Sequence, residues 1–130
     1  MALSDSLNGF RPYALGVLRI VAALQFIEHG TQKLFNFPAS DHASAGLSAL
    51  MLAAGILETF GGLLILIGWF TRPVAFILSG QMAFAYFMAH FPKSFFPANN
   101  GGDAAILFCF LFLYLVFAGP GRFAVDNRAR

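Results

Sequence analysis

The chain has 130 residues, of which 58% are hydrophobic, 11% are charged and 17 are Phe. A soluble domain carries roughly 25% charged residues, and a chain this short has too much surface to cover with so few polar groups. A soluble monomer and a disordered chain are therefore excluded, the net charge of +2 is too small and scattered for a nucleic-acid binder, and a single Cys leaves no disulfide framework or Cys-based zinc site.

A spanning helix needs about 20 mostly apolar residues. Four stretches qualify, over residues 12–35, 46–70, 73–91 and 103–119. The alternation of a barrel strand is absent. The expected fold is an all-α membrane protein, a four-transmembrane-helix antiparallel bundle forming one domain over residues 1–130. Arg19 and Glu28 interrupt the first stretch and no Ala-x-Ala closes it, which argues against a cleaved signal peptide. Residues 36–45 read as a polar loop with a solvated His42. Thr71-Arg72 reads as a tight turn and Pro73 as the first residue of the third helix. Residues 92–102 hold two prolines and a Gly-Gly pair, so they read as a loop whose Phe95-Phe96 pair dips into the membrane interface. Asp103 reads as the N-cap of the fourth helix, Cys109 as a small core residue, and the Phe-rich run 108–117 as lipid-facing. Arg11, Arg72, Arg122, Arg128 and Arg130 flank one side and Lys33 and Lys93 the other, which predicts that both termini are cytoplasmic.

An ionisable group at the bilayer centre costs about 2.5–3.5 kcal/mol on insertion scales, so such groups normally face the bundle and have a partner. At about 1.5 Å per residue, Arg19 lies roughly 12 Å past Arg11. Gln81 reaches a similar level counted from Arg72, and Glu58 lies about 21 Å from the same end. Glu28, His29, His90 and Asp103 fall near the outer surface. The expected arrangement is a graded polar column with Arg19 as the charge partner of Glu58. Gly55, Gly61 and Gly62 sit at i−3, i+3 and i+4 from Glu58, a small-residue stripe that turns it into a helix contact. Both a packing role and a proton or ligand role fit that position. Gln25, Glu28, His29 and Gln32 recur at i, i+3, i+4 and i+7, one polar face that either meets water or walls a pocket. Lys33 is expected to snorkel outward. No metal is predicted, since the Glu28, His29, His90 and Asp103 set contains neither His-x-x-x-His nor Glu-x-x-His.

Taken in order, Arg19, His29-Gly30-x-x-Lys33, Glu58-Thr59-Phe60-Gly61-Gly62, Gly68, Thr71-Arg72, Asn100-Gly101-Gly102-Asp103, Gly119-Pro120-Gly121 and Asp126 resemble the DoxX family of small four-helix membrane proteins. In the tail, Phe123-Ala124-Val125-Asp126 stands where family members often have a Ser before Leu-Asp. The resemblance implies a bacterial inner-membrane protein associated with quinol oxidation, thiosulfate:quinone oxidoreduction or anchoring of thiol-stress assemblies. It carries over Arg19, His29, Lys33, Glu58, Asn100 and Asp103 as site positions. A Cys-pair relay of the vitamin K epoxide reductase type is excluded by the lone Cys109, and there are too few matched His residues for a haem.

Three functional readings follow. The first is a subunit linked to quinone/quinol or thiol redox chemistry, acting in the lipid bilayer with a partner oxidoreductase. Glu58, His29 and Glu28 would move protons, and Arg19, Gln25, Lys33, Gln81, His90, Asn100 and Asp103 would hold the ligand. The second is a non-catalytic anchor or assembly protein, and the third a small-solute or proton carrier. A homodimer is compatible with the small size and the Gly-rich second helix.

Overall fold

The computed structural model describes residues 2–40 and 47–128. Its helices are α1 (Leu3–Gly9), α2 (Arg11–Phe35), α3 (Ala49–Ile67), α4 (Thr71–Lys93) and α5 (Asp103–Ala118), with a single helical turn at Pro97–Asn100 and a 3₁₀ turn at Val125–Arg128. Among the described residues there is no strand. Backbone groups in lipid must be satisfied within their own segment, which is why long apolar runs fold this way. Two helices, α3 and α4, are long and apolar enough to cross a membrane, and a third crosses if α1 and α2, bent by 49° at their junction, form one span. The α5 helix is apolar and has 16 residues, about 24 Å of rise. His42 and Gly46 lie outside the described residues.

Local signals set the helix ends. Ser48 precedes α3 and its Oγ accepts from the Met51 N–H at 3.2 Å, a side-chain N-cap. Gly68 ends α3 at φ +69°, the left-handed geometry that glycine adopts without strain. The reversal therefore lies at Gly68–Phe70, and Thr71-Arg72 belongs to the first turn of α4. Pro73 falls inside that turn instead of opening it. Two carboxylate oxygens of Asp126 accept from the N–H groups of Phe70 and Thr71, each at 2.9 Å, so the cap of α4 comes from the far end of the chain. At α5 the cap position is Gly102, with Asp103 the first helical residue and its side chain exposed. The acid still suits the positive end of the helix.

Burial of apolar surface does not drive helix association in lipid, so close packing must. Between α2 and α3 that packing rests on glycines. A Cβ at Gly30 would lie 2.4 Å from Thr59 Oγ1, and one at Gly62 would lie 2.6 Å from Ile27. The α4 and α5 helices pack side by side, joined by Ser79 Oγ donating to the Cys109 carbonyl at 2.7 Å. The Cys109 side chain is half-buried. A common core of Ala23, Phe26, Ile65, Leu78, Met82, Phe112 and Leu115 joins all four long helices. Much of the α5 phenylalanine run faces outward, as Phe110 and Phe117 do, while Phe112 is fully buried.

Candidate functional site

Two buried charges organise the interior, and they do not meet. Arg19 is fully buried. Its Nη1 donates to the carbonyls of Pro120 and Arg122, the latter at 3.0 Å, and its Nη2 donates to Phe123 at 2.8 Å and Leu66 at 3.4 Å. The guanidinium thus closes the chain's C-terminal hook onto the end of α3. The planar fork of Arg suits such a set of fixed acceptors better than a Lys would. Asp126 is the acidic residue whose charge reaches Arg19. Burial pushes the Asp126 carboxyl up, but the N–H donors of Thr71 and Phe70 and the Arg19 charge outweigh it and hold the group below the ordinary carboxylate range.

The second charge is Glu58, whose side chain is 5% exposed. Lys33 Nζ donates to its Oε2 at 2.8 Å and Gln81 Nε2 to its Oε1 at 3.2 Å. Lys33 therefore turns into the bundle instead of snorkelling away. The expected Arg19–Glu58 pair is replaced by Lys33–Glu58, and Gln81 belongs with Glu58 instead of Arg19. The reason is the position of the turn. Glu58 lies nine residues before the end of α3 at Ile67, and Gln81 ten residues after the start of α4 at Thr71, so the two sit level. Arg19, by contrast, is level with Leu66 and Gly68, because the first turns of α2 extend past the end of α3.

Glu58 sits in a π-helical turn, Leu57–Gly61. Such a turn inserts an extra residue and re-aims side chains, and it occurs often at functional sites. Next to it, Thr59 Oγ1 and Gln81 Oε1 are buried without a hydrogen-bond partner. A buried polar atom left unpaired costs about 1–3 kcal/mol. Arg19 Nε and Thr71 Oγ1 are unpaired in the same way at the other charge, so both places hold hydrogen-bonding capacity that the fold leaves unused.

The remaining candidates sort elsewhere. Gln25, Glu28 and His29 are exposed on the outer face of α2, apart from the ion pair. The His29 ring meets the edge of Phe108 at 6.2 Å between centroids. Gln32 donates to the Pro38 carbonyl at 3.1 Å. Asn100 is 3% exposed and fully engaged, donating to the Tyr86 hydroxyl at 3.1 Å and the Ser94 carbonyl at 3.0 Å and accepting from the Gly102 N–H at 2.7 Å. His90 Nδ1 lies 3.1 Å from the Asn100 carbonyl. These contacts fasten the 92–102 connection. Among the described residues, no three His, Cys, Asp or Glu side chains converge as a metal ion requires. The capping role of Asp126 and the unpaired Thr59 hydroxyl had no depth or spacing signal in the sequence. Only the order of family motifs singles out Asp126.

The DoxX family model matches residues 14–91, from α2 through nearly all of α4 and including both Glu58 partners. The chain belongs to the DoxX family. It is 46% identical to a Haemophilus influenzae protein described as an uncharacterized protein, over 95% of this chain and 96% of that one. It is 28% identical to the inner membrane protein YphA of Escherichia coli, over 91% of each chain. No solved structure matches it. The apolar helices and these relatives make this DoxX chain an integral membrane protein of the bacterial inner-membrane type.

Proposed function

We propose that this chain is a membrane subunit of a quinone/quinol- or thiol-linked oxidoreductase, with Lys33, Glu58 and Gln81 as its ligand site. In this reading α2 to α5 cross the membrane as a four-helix antiparallel bundle with both termini cytoplasmic, as the arginine-rich end directs. The observation that carries the proposal is the buried, partnerless Gln81 Oε1 beside a carboxylate already held by Lys33 and Gln81. A quinol fits that donor deficit, because its hydroxyl offers the hydrogen that Gln81 Oε1 lacks, while Lys33 Nζ can donate to a quinone carbonyl. Bound there, a quinol would supply two electrons and two protons. Glu58 is the group able to take these protons within the span, one at a time, passing the first outward before the second leaves the quinol. Accepting one at Oε1 would break the bond from Gln81 Nε2 and free that amide to turn. The Lys33 side chain is 23% exposed, which gives the pair a route to the exposed Glu28 and His29 face. With one Cys, the chain has no dithiol to pass electrons on, so a partner protein must take them.

The competing reading is an anchor whose buried charges only fix packing, and the all-backbone cage of Arg19 favours it for that half of the molecule. A solute or proton carrier would need a polar path between the two charges, whereas Phe26, Ile65 and Leu78, which fall between the charged levels in sequence along α2, α3 and α4, belong to one buried apolar core. The test is purification with native lipid, followed by extraction and chromatographic assay of quinone. Wild-type protein is expected to carry quinone. Folded Glu58→Gln and Gln81→Leu variants are expected to lose it, and His29→Ala to keep it but slow proton-coupled turnover with the partner. If wild-type protein holds no quinone, or if Glu58→Gln unfolds, the packing reading wins.

A further inference from the structure

The C-terminal hook that Arg19 fastens also shapes a groove, and nothing in the redox reading uses it. The groove encloses about 550 Å³ between the end of α3 and the tail. Its walls combine Ile67, Phe123 and Val125 with Asn127, Arg122 and Arg128. Arg122 and Arg128 are both exposed, and among the described residues neither forms a salt bridge. Arg122 is set in place by stacking over the Tyr13 ring, its Cζ 5.2 Å from the centroid. The backbone beneath is rigidly held, since Arg19 takes the carbonyls of Pro120, Arg122 and Phe123 and the Arg122 N–H donates to the Pro12 carbonyl at 2.9 Å. Asp126, the nearby acid, spends its two oxygens on the N–H groups of Phe70 and Thr71.

We infer that this groove binds the phosphate headgroup of an anionic phospholipid. Two guanidinium groups supply the charge, and Arg is the side chain whose planar fork best matches a phosphate. The apolar wall explains why the occupant is a lipid. Ile67 ends a membrane helix, and the adjoining Trp69, Phe70 and Phe123 are all exposed, as aromatic residues are at the headgroup level. A free phosphate would satisfy the arginines and leave that apolar surface against water. A basic pocket at the end of membrane helices is a recurrent way to hold an acidic lipid.

The experiment is native mass spectrometry of the full chain, released from detergent micelles doped with phosphatidylglycerol or with phosphatidylcholine of the same acyl chains. Wild-type protein is expected to retain phosphatidylglycerol in preference to phosphatidylcholine. A basic side chain near a lipid surface contributes about 1 kcal/mol, so Arg128→Gln should lower retention about fivefold and the double Arg122→Gln, Arg128→Gln variant about 25-fold. Arg128 is exposed and takes no part in the Tyr13 stack, so the single variant stays informative even where loss of the Arg122–Tyr13 stack loosens the fold. Arg122→Lys with Arg128→Lys is expected to keep most of the preference. Equal retention of the two lipids would overturn the proposal. So would a folded double variant that retains phosphatidylglycerol like wild type, or full displacement of the lipid by millimolar inorganic phosphate.

Discussion

Arg19 and Glu58 are both buried charges in a membrane protein, yet their surroundings differ in kind. Four backbone carbonyls hold Arg19, and backbone carbonyls do not change protonation or swing away. Two side chains hold Glu58, both of which can rotate, and unpaired polar atoms lie next to it. The first environment leaves Arg19 Nε unpaired, but its partners are fixed backbone groups, and it fixes shape. The second has unspent hydrogen-bonding capacity, which a ligand or a proton can use. Residue type alone does not separate the two roles; the identity of the partners does.

Removing the Arg19 side chain should have the largest effect. Arg19→Met leaves several buried carbonyls without donors, at about 1–3 kcal/mol each. Unfolding in detergent, followed by circular dichroism, should show a loss of about 3 kcal/mol or more. A variant that unfolds like wild type would erase the contrast between the two charges.

Gly30→Ala should follow. The new methyl would meet the Thr59 backbone nitrogen at 2.6 Å and its hydroxyl at 2.4 Å. Overpacking of this kind costs about 1–3 kcal/mol. Because it pushes α2 off the turn that carries Glu58, it should also weaken ligand retention. An unchanged melting point together with unchanged retention would show that the Glu58 half is looser than its packing implies.

Much of this was legible beforehand. The run lengths mark the four long helices but not α1 or the turn at Pro97–Asn100, and the Gly55, Gly61 and Gly62 stripe turns Glu58 inward. The pairing was not legible, for a physical reason. Depths counted from Arg72 assume that the chain reverses at Thr71-Arg72. It reverses at Gly68–Phe70, and a π turn re-aims Glu58 besides. A few residues of error shift a side chain by more than a hydrogen bond's reach, enough to trade Arg19 for Lys33. The Asp126 cap was also out of reach, because it joins residues 55 and 56 positions apart.

Glu58→Gln should cost less than either change above, about 1.5 kcal/mol for one charge-assisted bond. Lys33 keeps a second acceptor in the His29 carbonyl at 3.4 Å and part of its surface is exposed. Size-exclusion chromatography should show a folded protein. An aggregated one would place Glu58 in the same structural class as Arg19.

The smallest effect belongs to Asp126. Asp126→Ala removes the cap of α4, worth about 1 kcal/mol. Because folding lowers the Asp126 pKa, its contribution is fully present above the free carboxylate value, near pH 4. It fades as the pH falls further, through the lower folded value. Acid titration of thermal stability should show a sag below about pH 4 in wild type that Asp126→Ala lacks. Parallel curves would assign that sag to other groups.

The Arg19 cage also dictates an order of construction. A ribosome delivers α2 before residues 120–123, so the guanidinium waits for its carbonyls until α3, α4 and α5 have been made. Until then one uncompensated cation sits on a helix already entering the bilayer. Residues 120–126 therefore act as a clasp, and a chain stopped before them should insert but never lock.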